Sequence, residues 1–153
     1  DRLAGIAGAI SVFPSHNCLV IDAGTCITYD FIDKNANYFG GSISPGLQMR
    51  LKALSHFTAK LPLVELSDEV ALTGYDTKSS ILSGVVHGTI AELDGIIDKY
   101  LQKYGELKVL ICGGDTNFFE SKLKEHIFAV SNLVLIGLNR ILLHNTKDFE
   151  ADN

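Results

Sequence analysis

The sequence predicts an α/β domain with a five-stranded mixed sheet flanked by helices. Three observations favour this class. Three short strand-like segments with tight links come first, a long helical stripe follows, and the last third alternates strand-like and helix-like segments. The chain has 153 residues, of which 46% are hydrophobic and 20% charged, which is the size and composition of one globular domain.

The first third of the chain predicts one helix and three strands. Residues 3–12, LAGIAGAISV, are small and apolar and predict a helix that Pro14 and Ser15 end. Strand-like composition then appears in CLVID (18–22), CITYDFID (26–33) and YFGGSIS (38–44), with KNAN (34–37) as a turn. Because the links between them are short, the three strands are expected to form an antiparallel meander.

Two further helices follow. Pro45 suits a helix start, and Leu47, Leu51 and Leu54 recur at helical spacing, which predicts a helix over 46–57. The clearest helical stripe runs from Thr77 to Tyr104, and Asp76 or Thr77 can cap its start. Gly84 and Gly88 lie one turn apart in it and predict the close approach of another helix.

The last third predicts a strand–helix–strand–helix order. KVLICGGDT (108–116) is a buried strand with a Gly-Gly turn, 117–126 a helix, NLVLIGL (132–138) a strand and 139–146 a helix. Residues 147–153 are expected to be a frayed polar tail, which leaves 1–146 as a single domain. This plan is that of the ribonuclease H fold, in which ligands collect beyond the strand ends.

Charge and composition exclude several classes of function. The formal net charge is −5 and there is no block of Lys or Arg, so a basic nucleic-acid surface is not expected. No signal peptide or membrane-length apolar run is evident, and Cys18, Cys26 and Cys112 lack CxxC spacing. We therefore expect a cytoplasmic protein with reduced thiols. The chain begins at Asp1 without a methionine, which predicts a processed chain or a fragment.

The segment DAGT at 22–25 is the first candidate site. Asp22 ends a predicted strand, Gly24 allows close approach of a ligand to the backbone, and Thr25 adds a hydroxyl and an N–H. A carboxylate next to a polyphosphate is repelled unless a cation lies between them, so Asp22 predicts a metal or monovalent cation. On spacing alone, a simple tight turn between two strands is the favoured explanation of the same residues.

Other candidate sites are weaker on spacing alone. The glycines of GGD (113–115) offer a flat surface for a ring or phosphate before a helix start, or form an ordinary β-α turn. GGSISPG (40–46) is either a pocket wall or a strand edge before a helix. Asp1 and Arg2 are either a base with an anion-binding partner or a solvated chain end, and the five histidines lack ligand spacing.

Taken together, six segments resemble the type III pantothenate kinases of the acetate kinase/Hsp70/actin superfamily, which have actin-like ATPase domains. They are DRLAGIAGA (1–9), IDAGTCITYDFID (21–33), GGSISPGLQMRLKALSHFTAKLP (40–62), GYDTKSSILSGVVHGTI (74–90), ICGGD (111–115) and NLVLIGL (132–138). They occur in family order and cover nearly the whole chain. The same family has carried the name Bvg accessory factor, which denotes a transcriptional regulator.

The resemblance implies ATP-dependent phosphorylation of the primary hydroxyl of pantothenate, the first step of coenzyme A synthesis. It implies the following roles: Asp1 as general base, Arg2 and Thr77 in the pantothenate site, Asp22 as ligand of K⁺ or NH₄⁺, Thr25 with Gly24 at ATP, and Gly113 and Gly114 near the adenosine. It also implies Mg²⁺ with ATP and a homodimer whose site lies near the subunit interface, where Gly84 and Gly88 would allow close contact.

Half of the family pattern has no counterpart in this sequence. The Asp-x-Gly-Asn-Thr phosphate loop of the first domain is absent, so the chain resembles only the C-terminal half of the enzyme. Alone, it is expected to bind ATP weakly and to have negligible kinase activity. The alternatives are a Bvg accessory factor-type regulator, although no helix-turn-helix is evident, and a non-catalytic dimerisation domain.

Overall fold

The computed structural model describes residues 2–124 and 126–151, so Asp1, the predicted general base, lies outside the described residues. The elements in chain order are α1 (Arg2–Val12), β1 (Cys18–Ala23), β2 (Cys26–Ile32), β3 (Tyr38–Pro45), α2 (Leu47–His56), α3 (Thr77–Tyr104), β4 (Lys108–Cys112), α4 (Thr116–Glu120), β5 (Ile127–Ala129) and α5 (Leu133–Ala151). The elements predicted between residues 3 and 104 are confirmed.

The sheet has five strands in the order β3-β2-β1-β4-β5. The first three strands form the predicted antiparallel meander, whereas β4 is parallel to both β1 and β5. This confirms the mixed sheet of a ribonuclease H-like domain. Because β1 and β4 run parallel with Asp22 opposite Cys112, the loops that follow these two strands emerge side by side.

Each face of the sheet carries a separate hydrophobic cluster. Leu19 and Ile21 of β1 belong to the larger cluster, which contains the buried side chains of α2 and α3. Cys18 and Val20 point to the opposite face and pack with Ile6 of α1 and the start of α5. By the same alternation Asp22 lies on the face that α1 and α5 cover.

The start of α3 is closed by a capping box. The Asp76 carboxylate accepts a hydrogen bond from the Ser79 backbone N–H at 2.7 Å, and Ser79 Oγ accepts one from the Asp76 N–H at 3.0 Å. Asp76 is therefore the cap, and Thr77 is the first helical residue. Among the described residues, α3 alone has the length and apolar composition of a membrane-spanning helix, but its Leu93 and Ile97 are fully buried in the larger cluster.

Close helix approach occurs between α1 and α5, not at the glycines of α3. A Cβ atom at Gly8 would overlap the Leu133 carbonyl oxygen, and one at Gly137 would overlap the Ala4 carbonyl oxygen. By contrast, within the described part of the chain no neighbouring element comes within 4 Å of a Cβ at Gly84 or Gly88. The expected helix contact at Gly84 and Gly88 is therefore wrong within a single chain.

The C-terminal predictions need three corrections. NLVLIGL (132–138) is not a strand but the start of α5, and the last strand is the short β5. Leu133 is fully buried whereas Leu135 is 67% exposed. The strand prediction failed because a short apolar run suits either a helix or a strand, and only its packing distinguishes the two. The helix expected at 117–126 ends at Glu120, and 147–151 continue α5 where a frayed tail was predicted.

Candidate active site

The loops after β1 and β4 are joined by direct contacts. The Asp115 N–H donates to the carbonyl of Ala23 at 2.9 Å, and within the loop after β4 Thr116 Oγ1 donates to the carbonyl of Gly113 at 2.8 Å. Gly113 has φ of 94°, a left-handed conformation that favours glycine. A Cβ at Gly113 would also collide with the Ala23 carbonyl and the Asp22 carboxylate. The fold therefore brings Asp22 and Gly113, two sequence-predicted site residues, into one crevice.

The residue that precedes α2 contacts the turn between β1 and β2. The Gly24 N–H donates to the Cys26 carbonyl at 3.0 Å, and the Gly46 N–H donates to the Thr25 carbonyl at 3.0 Å. Thr25 itself is exposed. The segment 40–46 thus belongs largely to the edge strand β3 and leads into α2. Its last residue, Gly46, forms a hydrogen bond with the DAGT turn.

The two loops leave open backbone on both sides of the crevice. A Cβ at Gly24 or at Gly114 would meet no atom within 4 Å. A flat or anionic ligand can therefore approach the backbone at these two positions. The helix that follows Gly114 is only the five-residue α4, which offers a much weaker dipole than the helix that the sequence predicted there.

Two carboxylates with raised pKa values flank the crevice. Burial raises the pKa of Asp22, and the nearby Asp30 carboxylate raises it further. Burial also raises the pKa of Asp115, and burial followed by the charge of Asp22 raises the pKa of Cys112 to about 12. The folded chain thus holds these two carboxylates partly buried without enough nearby positive charge to offset their burial. Such an arrangement is typical of sites that bind a positive ligand.

A cation at Asp22 would not be held by a cluster of His, Cys, Asp and Glu side chains alone. Among residues 2–124 and 126–151, no three His, Cys, Asp or Glu side chains are grouped closely enough to hold a metal ion. Backbone carbonyls, hydroxyl groups, water and phosphate oxygens are the further donors available, and K⁺ and Mg²⁺ both accept oxygen ligands of these kinds. The residues present therefore fit a cation that is shared with a bound anion.

Arg2, predicted to bind substrate, forms an ion pair that sequence reasoning missed. Its Nε lies 3.1 and 3.0 Å from the two oxygens of Asp30, and its Nη2 lies 2.6 Å from Asp30 Oδ1. The hydroxyl of Tyr38 donates to the same Oδ1 at 2.6 Å. The only sequence signal was an acidic residue within the apolar strand CITYDFID, where a carboxylate needs a partner.

Thr77 lies in a different place. It is exposed at the first turn of α3, in an open groove of about 1040 Å³ between α2 and α3. The groove is lined largely by apolar side chains, among them Leu54, Phe57, Leu61 and Ile81, with Arg50 at one side. The elements that form this groove cover the sheet face opposite to Asp22 and Asp30, so one chain does not bring Thr77 together with Arg2.

Glu92 hydrogen-bonds to Arg50 at one side of the groove, and sequence reasoning missed it as well. Its carboxylate accepts hydrogen bonds from Tyr29 Oη at 2.9 Å, Ser44 Oγ at 2.6 Å and Arg50 Nη2 at 2.6 Å. Burial raises the pKa of Glu92, but the bonds from Ser44, Arg50 and Tyr29 outweigh burial and lower it overall. Glu92 therefore joins β2, β3, α2 and α3 and fixes the direction of the Arg50 side chain.

The chain is similar to known proteins over nearly its whole length. The family model described as type III pantothenate kinase matches residues 1–99. The type III pantothenate kinase of Cytophaga hutchinsonii is 52% identical over 95% of this chain, and that of Phocaeicola vulgatus is 51% identical over 96%. The matches cover 62% and 61% of those relatives, so the chain spans about three fifths of their length.

A solved Campylobacter jejuni protein, named for the Baf family of transcriptional activators, has the same fold. It is 26% identical with a TM-score of 0.65, over 95% of this chain and 65% of that protein. The sequence matches and the fold agree with each other and with the six motifs. This chain belongs to the type III pantothenate kinase family.

Proposed function

We propose that this chain is the C-terminal half of a cytoplasmic kinase that transfers the γ-phosphate of ATP to the primary hydroxyl of pantothenate. The observation that carries the proposal is the crevice between the loops after β1 and β4, where open glycine backbone faces an incompletely compensated carboxylate. Phosphoryl transfer requires mainly positioning and charge neutralisation, and this crevice provides groups for both.

The ATP side of the reaction is assigned to the two loops. The Thr25 hydroxyl and N–H are proposed to donate to phosphate oxygens, and Gly24 allows the phosphates close to the backbone. Gly113 and Gly114 are proposed to lie near the adenosine. Asp22 is proposed to hold K⁺ or NH₄⁺, and the raised pKa of its carboxyl supports this, since a bound cation would relieve the uncompensated charge. Bound Mg²⁺ and the monovalent cation would supply positive charge against the phosphates.

The pantothenate side is assigned to Asp1, Arg2 and Thr77. Asp1 is proposed to accept the proton of the attacking hydroxyl, a role that typically gives roughly 10²–10⁴-fold in rate. Arg2 is proposed to bind an anionic group of the substrate, since its side chain is 38% exposed while its inner edge is held by Asp30. Thr77 is proposed to donate a hydrogen bond to pantothenate.

A homodimer would complete the pantothenate site. Because Thr77 and Arg2 lie on opposite faces of the sheet within one chain, a second copy is needed to bring its own Thr77 to Arg2. The groove beside Thr77 is also lined by Gly84, and Gly88 lies exposed one turn further along α3. A face with two glycines allows another helix to approach closely, which supports this face as the contact between the two copies.

An N-terminal domain is proposed to supply the rest of the ATP site. The curated relatives are longer than this chain, which leaves room for a first domain with its own phosphate loop. The chain alone would then contribute only one wall of the nucleotide site. We expect it to bind ATP weakly and to turn over negligibly.

Two proteins test this proposal: the chain alone, and an extended protein in which the N-terminal domain of the Cytophaga hutchinsonii relative precedes Asp1. ATP-dependent phosphorylation of pantothenate is measured with Mg²⁺ and with K⁺, NH₄⁺ or Na⁺. We expect turnover only in the extended protein, with dependence on K⁺ or NH₄⁺ that Asp22→Asn abolishes. Turnover by the chain alone would contradict its assignment as half of the site. A folded extended protein that does not phosphorylate pantothenate would overturn the kinase proposal.

A further inference from the structure

We propose that Asp30, assisted by Tyr38, is a positioning residue that holds the Arg2 guanidinium in one orientation and leaves its outer edge open to an anionic group of the substrate. The inference rests on the proposed function, in which Arg2 binds pantothenate. It assigns roles to two residues that no motif singled out.

The geometry of the ion pair leaves part of the guanidinium available. Asp30 contacts the edge formed by Nε and Nη2, with three distances between 2.6 and 3.1 Å. Among the described residues no hydrogen bond from Nη1 is formed, and the nearby Tyr38 hydroxyl donates to Asp30 Oδ1. A guanidinium has five N–H donors in a planar fork, so the edge formed by Nη1 and Nη2 can still bind a carboxylate or phosphate with two hydrogen bonds.

Asp30 is itself held rigidly. It is 2% exposed and lies on β2, an inner strand between β1 and β3, opposite Val20 and Gly41. The Tyr38 hydroxyl occupies Oδ1 at 2.6 Å, so the carboxylate cannot rotate without losing that bond as well as the bonds to Arg2. Because the pair is formed on folding, Arg2 does not need to lose side-chain freedom when substrate binds.

Removal of the Asp30 carboxylate is expected to have opposite effects on anion binding, depending on whether net charge or the orientation of Arg2 matters more. Asp30 offsets the positive charge of Arg2, so removing the carboxylate would strengthen the attraction between this site and an anion. If orientation matters more than net charge, the same change weakens anion binding. If the ion pair serves only stability, removing the carboxylate would change the amount of folded protein but not the affinity for the anion.

The test compares Asp30→Asn and Tyr38→Phe with the unchanged extended protein. We expect Asp30→Asn to raise the KM for pantothenate about tenfold, a coupling in the usual range for residues in direct contact, with the KM for ATP unchanged. Tyr38→Phe removes only the second bond at a half-exposed position and should raise the same KM less. An unchanged or lowered KM for pantothenate in folded Asp30→Asn would overturn the proposal, and if that variant does not fold, an unchanged KM in Tyr38→Phe would do so.

A double-mutant cycle shows whether Asp30 acts through Arg2. In the Arg2→Gln background, Asp30→Asn should have no further effect on the KM for pantothenate, because the group that it positions is gone. An equal effect with and without Arg2 would contradict a positioning role. If Arg2→Gln does not fold, because it leaves Asp30 buried without its cation, the Tyr38→Phe result still decides the proposal.

A second measurement does not depend on kinase activity. The Nε–H of Arg2 in the ¹⁵N-labelled extended protein should exchange slowly with solvent, and Asp30→Asn should make that exchange fast. If the extended protein folds but does not phosphorylate pantothenate, the proposed function fails while slow exchange at Arg2 still supports its fixed orientation. Fast exchange at Arg2 in the unchanged protein overturns the positioning role regardless of activity.

Discussion

Gly137 of α5 lies directly against the backbone carbonyl of Ala4 in α1, so closely that a Cβ at residue 137 would overlap the carbonyl oxygen. Gly8 has the same relationship with the carbonyl of Leu133, one turn away on each helix. These reciprocal contacts join the first and last helices across the sheet face that carries Asp22 and Asp30. The orientation of α1, and with it that of Arg2, therefore depends on two glycines.

Gly137→Ala should destabilise the fold. The added methyl group forces α5 away from α1, and overpacking of this kind costs about 1–3 kcal/mol of the free energy of unfolding. Urea denaturation of the chain measures the change, and Gly95→Ala serves as the control, because a Cβ at Gly95 would meet no atom within 4 Å. Equal stabilities for the two variants would contradict the close packing of α1 against α5.

Gly88→Ala should have the opposite effect on the monomer. Residue 88 is exposed within α3, and replacing a glycine in such a position favours the helix by up to about 1 kcal/mol. If two copies pack at this face, as we propose, the same methyl group should weaken their association. Urea denaturation at low concentration and sedimentation velocity at high concentration separate the two effects. Unchanged dimerisation would place the subunit contact elsewhere.

Asp22→Asn should stabilise the nucleotide-free chain at neutral pH. Burial raises the pKa of Asp22, so the folded state holds its proton more tightly than the unfolded state does. The contribution of this carboxyl to stability is then fully present below the unfolded pKa, near pH 4, and is lost as pH rises through the raised pKa of the folded state. The asparagine variant lacks this loss, so its Tm should exceed that of the unchanged chain at pH 7 and match it near pH 3.

Thermal unfolding of both proteins between pH 3 and pH 8 checks this expectation, with Asp98→Asn, an exposed position on α3, as the control. A lower Tm for Asp22→Asn at pH 7 would mean that the folded chain compensates the carboxylate by itself. That result would remove the argument for a cation at this position.

Thr77→Ala should separate substrate binding from helix stability. Because Asp76 caps α3, loss of the Thr77 hydroxyl should leave the free energy of unfolding within about 0.5 kcal/mol of the unchanged value. In the extended protein the KM for pantothenate should rise, and Thr77→Ser should restore it. Lys78→Ala, which changes the neighbouring exposed residue, is the control. A loss of stability without a change in KM would make Thr77 a structural residue only.

Local patterns predicted most of the elements, including β4, but not the extent or type of several elements after it. Apolar spacing located the strands and helices between residues 3 and 104, since amphipathic periodicity is a property of the segment itself. NLVLIGL failed as a strand because a short apolar run carries no period, and only the contact between Gly137 and Ala4 shows which face it buries. The crevice residues Asp22 and Gly113 were found because Asp22 lies near the end of one buried strand and Gly113 directly follows another.

The sequence by itself determined the class of fold, the family and the two loops at the carboxyl ends of β1 and β4. Only the tertiary structure decided which glycines meet another helix, that Arg2 is held by Asp30, and that Thr77 lies on the opposite face of the sheet. The physical reason is that these contacts join residues far apart in the chain: Arg2 and Asp30 are 28 positions apart, and their meeting depends on strand register and helix packing, not on local propensity.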